Sequence, residues 1–389
     1  MISKELELLI ESIKIVLLDA SPNVFKNLTN DPKLNWQRVD KLLKYNSIRP
    51  IFYQACRNIN FQNDLVERVG VFTKKQAIKN LFDGQETSYI LDFFKQNNIP
   101  ALPYKGQLFL EYLYQNRPLR ESCDIDIIVQ PENLYESLKL LLADGYKLSI
   151  KGELTYTLFK EIYRFYGREV GLDKKTKVGK DVHIDFHWGI NESFHEYPIG
   201  VDDFFKEAEL NDFNKKEVLV PSINTIFKML LNHHGGRGCW LRLKDMCDLI
   251  VFRKSYLQFE TSQMVEIAQK MGMVNILNQG IFLSDTFFSD TIIREVSESQ
   301  KIAKEILAFW DKAEHYTHVN LRARLAYEKI YRSLQDKNWS WFKSIRLNIN
   351  SMSIPNPMES ERLIIFPDSF IYLNFFTKIL SGIWKLLKK

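Results

Sequence analysis

Leu6, Leu9, Ile13, Val16 and Leu17 recur at the spacing that puts side chains on one face of a helix, and Ser3 stands where an N-cap hydroxyl is needed. A second helical stretch opens near Trp36, carries Val39, Leu42 and Leu43, and breaks at Pro50. A third, around Leu81 to Phe94, runs into Asn97-Asn98-Ile99-Pro100, a strong stop signal. After Pro100 the pattern changes. Ala101 to Gly106 is short and bounded by turn formers, so it predicts a strand entering a glycine turn, with a helix from Gln107 to Tyr114 behind it. Asp124-Ile125-Asp126-Ile127-Ile128-Val129 alternates and then turns wholly apolar, a strand with one face committed to the core. Pro131 closes it, and Glu132 to Ala143 predicts an amphipathic helix.

Tyr163 to Leu172 and Asp181 to Trp188 flank a polar stretch and predict a β-hairpin. From Pro221 the helical period returns and dominates. The pattern therefore predicts an α+β protein, a small mixed β-sheet with helices on one side, flanked by two helical regions. The expected divisions are a helical region over 1–97, an α/β core over 98–220 and a helical bundle over 221–389. No internal repeat or low-complexity segment interrupts them.

Composition narrows the function classes. A hydrophobic content of 45% fills a sizeable core, and a net charge of +5, from 53 basic and 48 acidic residues, is a weak footprint for long nucleic acid. Cys56, Cys123, Cys239 and Cys247 have neither the pairing nor the spacing of a zinc site or disulfide framework. Glu5, Glu7 and Glu11 interrupt what would be the apolar run of a signal peptide, and no long apolar stretch suggests a spanning helix, so a cytoplasmic protein is expected.

Asp124 and Asp126, at i and i+2 on a strand, project from one face and repel each other unless a cation or a proton lies between them. Alone, such a pair equally fits the solvated face of an edge strand. Val182-His183-Ile184-Asp185-Phe186-His187-Trp188 supplies a second alternating strand, with His183, Asp185 and His187 on one side. Three carboxylates on neighbouring strands suit two Mg²⁺ ions about 4 Å apart, Mn²⁺ being the alternative. Upstream, Lys105-Gly106-Gln107 joins a strand to a helix start, whose free N–H groups can cradle phosphate.

Gly106, Asp124-Ile125-Asp126 and Asp185 stand in the order of the polymerase-beta-like nucleotidyltransferases: glycine turn, Asp-x-Asp strand, third acidic strand. More narrowly, Leu102 to Gly106, Arg120 and His183 to Trp188 resemble a bacterial group of uncharacterised nucleotidyltransferases, over roughly residues 30–260. The resemblance implies transfer of a nucleoside monophosphate from a triphosphate to a hydroxyl on a small molecule, peptide or protein, releasing pyrophosphate. Asp124, Asp126 and Asp185 would be the metal ligands, with Lys105, Gly106, Gln107 and Arg120 on the nucleotide. The wider superfamily has serine where Gln107 stands, which leaves open which phosphate is held.

His187, His234, Arg242 and Asp248 are further cleft candidates. Each has a bland counterpart: a structural histidine at His187, and a surface ion-pair ladder at Arg242, Asp245 and Asp248. His233-His234-Gly235-Gly236 reads as a helix C-terminus with a glycine in the left-handed cap. Ser369 to Lys389 reads as a buried bundle helix, or else as peripheral membrane contact. Rivals to nucleotidyl transfer are transfer of another phosphate-linked group such as a sugar, and a non-catalytic scaffold.

Overall fold

The computed structural model describes residues 2–115, 118–122, 124–149, 154–165, 167–175, 181–191, 197–289, 300–312 and 321–336, and beyond these 349, 353, 366, 370 and 372–387. Helices α1 (Lys4–Leu17), α2 (Asn23–Thr29), α3 (Trp36–Asn46), α4 (Arg49–Asn58) and α5 (Asp64–Gln96) come first. Ser3 caps α1 by accepting from the Leu6 amide, and Asn35 and Asn63 cap α3 and α5 in the same way. Pro50 sits in the first turn of α4, just after Ser47 has ended α3 in the left-handed region. The periodic stretch ending at Phe94 is thus the last part of a helix of 33 residues.

The central elements are β1 (Ala101–Pro103), α6 (Gly106–Tyr112), β2 (Ile125–Val129), α7 (Leu134–Ala143), β3 (Lys147–Leu148), α8 (Tyr156–Phe165), β4 (Glu169–Lys175) and β5 (Asp181–His187). The sheet order is β1-β2-β5-β4-β3. β2 and β5 are parallel, and every other pair is antiparallel. The expected hairpin is β4 with β5, but Tyr163 lies in α8. The aromatic run Tyr156 to Phe165 has apolar residues at helical spacing, and the strand begins only at Glu169. The fold is α+β with a small mixed sheet, as the pattern predicts.

After α9 (Asp202–Phe205), a hairpin that sequence reading did not anticipate, β6 (Glu209–Phe213) and β7 (Lys216–Val220), packs on α5. Then follow α10 (Ile223–Leu230), a π-helical turn over Leu231–Arg237, α11 (Leu243–Ser255), α12 (Thr261–Met271), α13 (Val274–Phe287), α14 (Lys301–Lys312), α15 (Leu321–Ser333) and α16 (Leu373–Leu387).

Two hydrophobic cores result. Ile125, Ile127, Val182, Ile184 and Phe186 go down into one, against Ile90, Leu91 and Phe94 of α5 and Leu134, Leu138 and Leu141 of α7. Leu102, Tyr104 and Ile128, on the opposite side, join the larger core, which runs from α1 through α6 to α10, α11 and α13. Near one end of that second side the sheet turns polar, at Asp126 and Asp185.

Candidate active site

β2 and β5 run parallel with Asp126 beside Asp185, and Asp124 stands just ahead of β2. Ligand oxygens of Asp124, Asp126 and Asp185 all lie within 4.8 Å of one another. Neighbouring strands and the two-residue period place these charges together without further help. On β4, Gly171 lies opposite Asp185, and the space above it is filled by Ser149 and by the His183 ring, whose Nε2 stands 3.3 Å from Oδ1 of Asp185.

The loop carrying Arg120 and Asp124 is anchored from three helices. Gln76 and Asn80 of α5 donate to the carbonyls of Ser122 (2.7 Å) and Arg120 (3.0 Å). Arg49 of α4 pairs with the Glu121 carboxylate, and Lys244 of α11 donates to the Glu121 carbonyl (2.6 Å).

Lys105 enters the site by a strained path. Its φ of 55° and ψ of −110° belong to a region that favours glycine. The side chain is buried, with Nζ 3.2 Å from Oδ1 of Asp126. Burial opposes the ammonium charge, but Asp126, Tyr104 and Glu169 together raise its pKa above the ordinary value. Gly106 follows, backed closely onto the carboxylates: a Cβ there would stand 3.1 Å from Oδ2 of Asp126 and 3.1 Å from the Asp124 carbonyl. Phe109 is the first residue of α6 whose amide finds an acceptor at the helix start, the Lys105 carbonyl at 2.8 Å. Gln107 turns its side chain toward Gly84 of α5 and Asn214, and its Nε2 is buried without a hydrogen-bond partner.

Burial works against the charge of Asp126, yet Lys105 and His187 hold its carboxyl far below the usual carboxylate range. Asp185 goes the other way. Burial, then the charges of Asp126, Asp124 and Glu169, push it up to about 7. His187 is fully buried, and burial followed by Lys105 lowers its pKa. Its Nε2, 3.0 Å from Asp126, must carry the proton, because a carboxylate only accepts. Nδ1 lies 3.1 Å from Oε2 of Glu169 but outside hydrogen-bond alignment.

A family model described as uncharacterised nucleotidyltransferase matches residues 32–289. The chain belongs to that family. No curated protein and no solved structure is significantly similar to it. The match takes in the whole carboxylate cluster, the Lys105–Gly106 turn and the α10–α13 helices that pack behind it.

Behind the turn lies a buried ionic network. Arg120, the expected phosphate partner, gives Nε and Nη2 to Asp248 (3.0–3.1 Å) and Nη1 to the Gly106 carbonyl (3.1 Å). Tyr114 also donates to Asp248 (2.7 Å). His234 bridges Asp245 (3.0 Å) and Asp248 (2.8 Å). Burial disfavours the His234 imidazolium, but Asp245 and Asp248 raise its pKa regardless. Asp248 is fully buried and Asp245 nearly so, which corrects the reading of a surface ladder. The charges meet Arg120 and His234 across the fold, so they need no water. Arg242 is apart from them, with its guanidinium over the Tyr45 ring at 6.0 Å.

The expected left-handed glycine cap is also absent: Gly235 and Gly236 stay within the π-helical turn at negative φ. They are small because neighbours press on them. A Cβ at Gly235 would meet Ile276 at 2.4 Å, and one at Gly236 would meet Met273 and Tyr197 at 3.1 Å.

Sequence reasoning passed over Glu169, Arg168 and Arg237, and took His233 only as part of a helix C-terminus. Glu169 pairs in register with His187, and despite burial its pKa is lowered by His187, Arg168, Lys105 and Arg237. His233 is driven well below its ordinary pKa by burial and by the charges of Lys105, His234, Arg237 and Lys244. One signal was available for Glu169: it, Gly171 and Asp173 alternate on β4 as His183, Asp185 and His187 do on β5.

Proposed function

We propose that this nucleotidyltransferase moves a nucleoside monophosphate from a nucleoside triphosphate to a hydroxyl acceptor, releasing pyrophosphate. The single observation that carries the reading is the Asp124, Asp126 and Asp185 cluster on adjacent parallel strands, beside a glycine turn. It is an oxygen-only donor set with a protonation-prone member, and this suits Mg²⁺, or Mn²⁺ in its place. When bound there, divalent ions would offset the charge that builds on the transferring phosphoryl group.

The chain's own residues would do the rest. Lys105 and the free amides at the start of α6 would face the phosphates. Arg120, held by Asp248, pins the Gly106 carbonyl, and because C=O and N–H of one peptide point oppositely, the Gln107 N–H is fixed facing away from Arg120. Asp185 would accept the proton of the acceptor hydroxyl as its oxygen attacks the α-phosphorus, the α–β bridging oxygen leaving with pyrophosphate. Positioning and electrostatics carry such chemistry. Nucleoside triphosphate would be drawn from the cytoplasm, and the modest net charge favours a small molecule, peptide or protein over long nucleic acid as acceptor.

Calorimetry with each nucleoside triphosphate, with and without Mg²⁺, tests the reading. Binding that needs the ion and disappears in Asp124→Asn with Asp126→Asn is the expected result. Unchanged binding by that variant would refute the assignment.

A further inference from the structure

Helix α16 has its polar side inward and its apolar side outward. Asn374 is buried, its amide donating to the Phe366 carbonyl (3.1 Å) while its Oδ1 accepts from the Phe366 N–H (2.8 Å). Thr377 is buried as well and donates to the Asn374 carbonyl (3.0 Å). In contrast, Phe370, Tyr372, Phe376 and Leu380 are 58%, 62%, 60% and 57% exposed. Tyr372, Leu373, Phe376, Ile379 and Leu380 follow the i, i+1, i+4, i+7, i+8 order of one helical stripe. In the sequence the same spacing continues through Ile383, Trp384 and Leu387. So broad an apolar stripe marks a binding face.

The charge of the segment selects among occupants. From residue 370 to 389 the sequence carries Lys378, Lys385, Lys388 and Lys389 and no acidic residue. A second copy of the chain would bring these like charges together, which opposes association. An anionic surface would be attracted to them. The helix has 15 residues, about 22 Å at 1.5 Å each, short of the ~30 Å hydrocarbon layer. Among the described residues no helix is long and apolar enough to cross a membrane.

We propose that α16 lies in the interface of an anionic lipid bilayer, its Tyr372–Leu380 stripe among the acyl chains, with attraction between the segment's net positive charge and the headgroup phosphates. The reading is independent of the chemistry at the carboxylate cluster. The full chain should be sedimented with vesicles of phosphatidylcholine alone, and with vesicles that also hold phosphatidylserine. Binding should favour the anionic vesicles by roughly a hundredfold or more, since each lysine near such a surface adds about 1 kcal/mol, and it should weaken with salt. Phe376→Ser with Leu380→Ser should abolish it, leaving thermal stability and sedimentation velocity unchanged. Lys385→Gln with Lys388→Gln, which removes two of the four lysines, should cut the anionic preference by about thirtyfold. Failure to bind either vesicle would overturn the proposal. So would a concentration-dependent dimer that Phe376→Ser with Leu380→Ser dissolves, which would assign the face to a second copy.

Discussion

Replacing Asp185 by asparagine should stabilise the metal-free protein, and only above acidic pH. The carboxyl is pushed up to about 7 by burial and by Asp126, Asp124 and Glu169, whereas in an unfolded chain it titrates near 4. That difference corresponds to about 4 kcal/mol at 1.36 kcal/mol per pH unit. The side chain is 28% exposed, so solvent screening brings the expected effect nearer to about 2 kcal/mol. A carboxyl whose folded pKa is raised keeps its full contribution below about pH 4 and loses it as the pH climbs to 7. In EDTA the advantage of Asp185→Asn over the native chain should therefore grow from pH 4 to 7 and stay flat above. Urea unfolding of both proteins at pH 5 and pH 8 measures it. Adding Mg²⁺ at pH 8 should then stabilise the native chain more than the variant. A stability difference that does not change between pH 5 and pH 8 would refute the electrostatic account of the cluster.

Asp248→Asn strips a fully buried charge from Arg120 and His234 and should cost about 3–5 kcal/mol in denaturant unfolding; a loss below about 1 kcal/mol would mean the pair behaves like an exposed one. Gly106→Ala sets a methyl 3.1 Å from Oδ2 of Asp126, so Mg²⁺-dependent nucleotide affinity should fall about tenfold or more with the fold retained, and unchanged affinity in calorimetry would count against the turn's role. Lys105→Gly relieves the positive φ that Lys105→Met keeps, so the glycine variant should be the more stable by about 1 kcal/mol, while both should bind nucleotide triphosphate more weakly.

The carboxylate cluster was legible in the sequence because its geometry is local. Alternation at Asp124–Val129 and Val182–Trp188 fixes which side chains share a face, and only the pairing of two strands had to be supplied. Ile125, Ile127, Ile184 and Phe186 are buried in one core for the same reason. The ionic network was not legible. Arg120 and Asp248 are 128 positions apart, and no neighbouring residue signals that they meet. Glycine is ambiguous by nature: Gly235 and Gly236 answer to Ile276, Met273 and Tyr197, contacts that lie far along the chain, and in a sequence they look the same as a helix cap. Lys105 shows the reverse case. Its backbone adopts a glycine-like conformation that the residue type itself disfavours, and the cost is offset by a buried ion pair no local pattern announces.

Helix α5 makes the molecule hard to divide. At 33 residues it is about 50 Å long. Its first turns, at Leu65, Val66 and Val69, belong to the larger core, and its last, at Ile90, Leu91 and Phe94, floor the sheet. Midway, Gln76 and Asn80 grip the loop that leads to Asp124. Removing everything ahead of the stop at Asn97 would thus take the floor from under β2 and β5 and release the loop at the same stroke. A fragment that keeps the carboxylates in place must retain this rod from Asp64 onward, and a protease cut anywhere along it should disable both halves together.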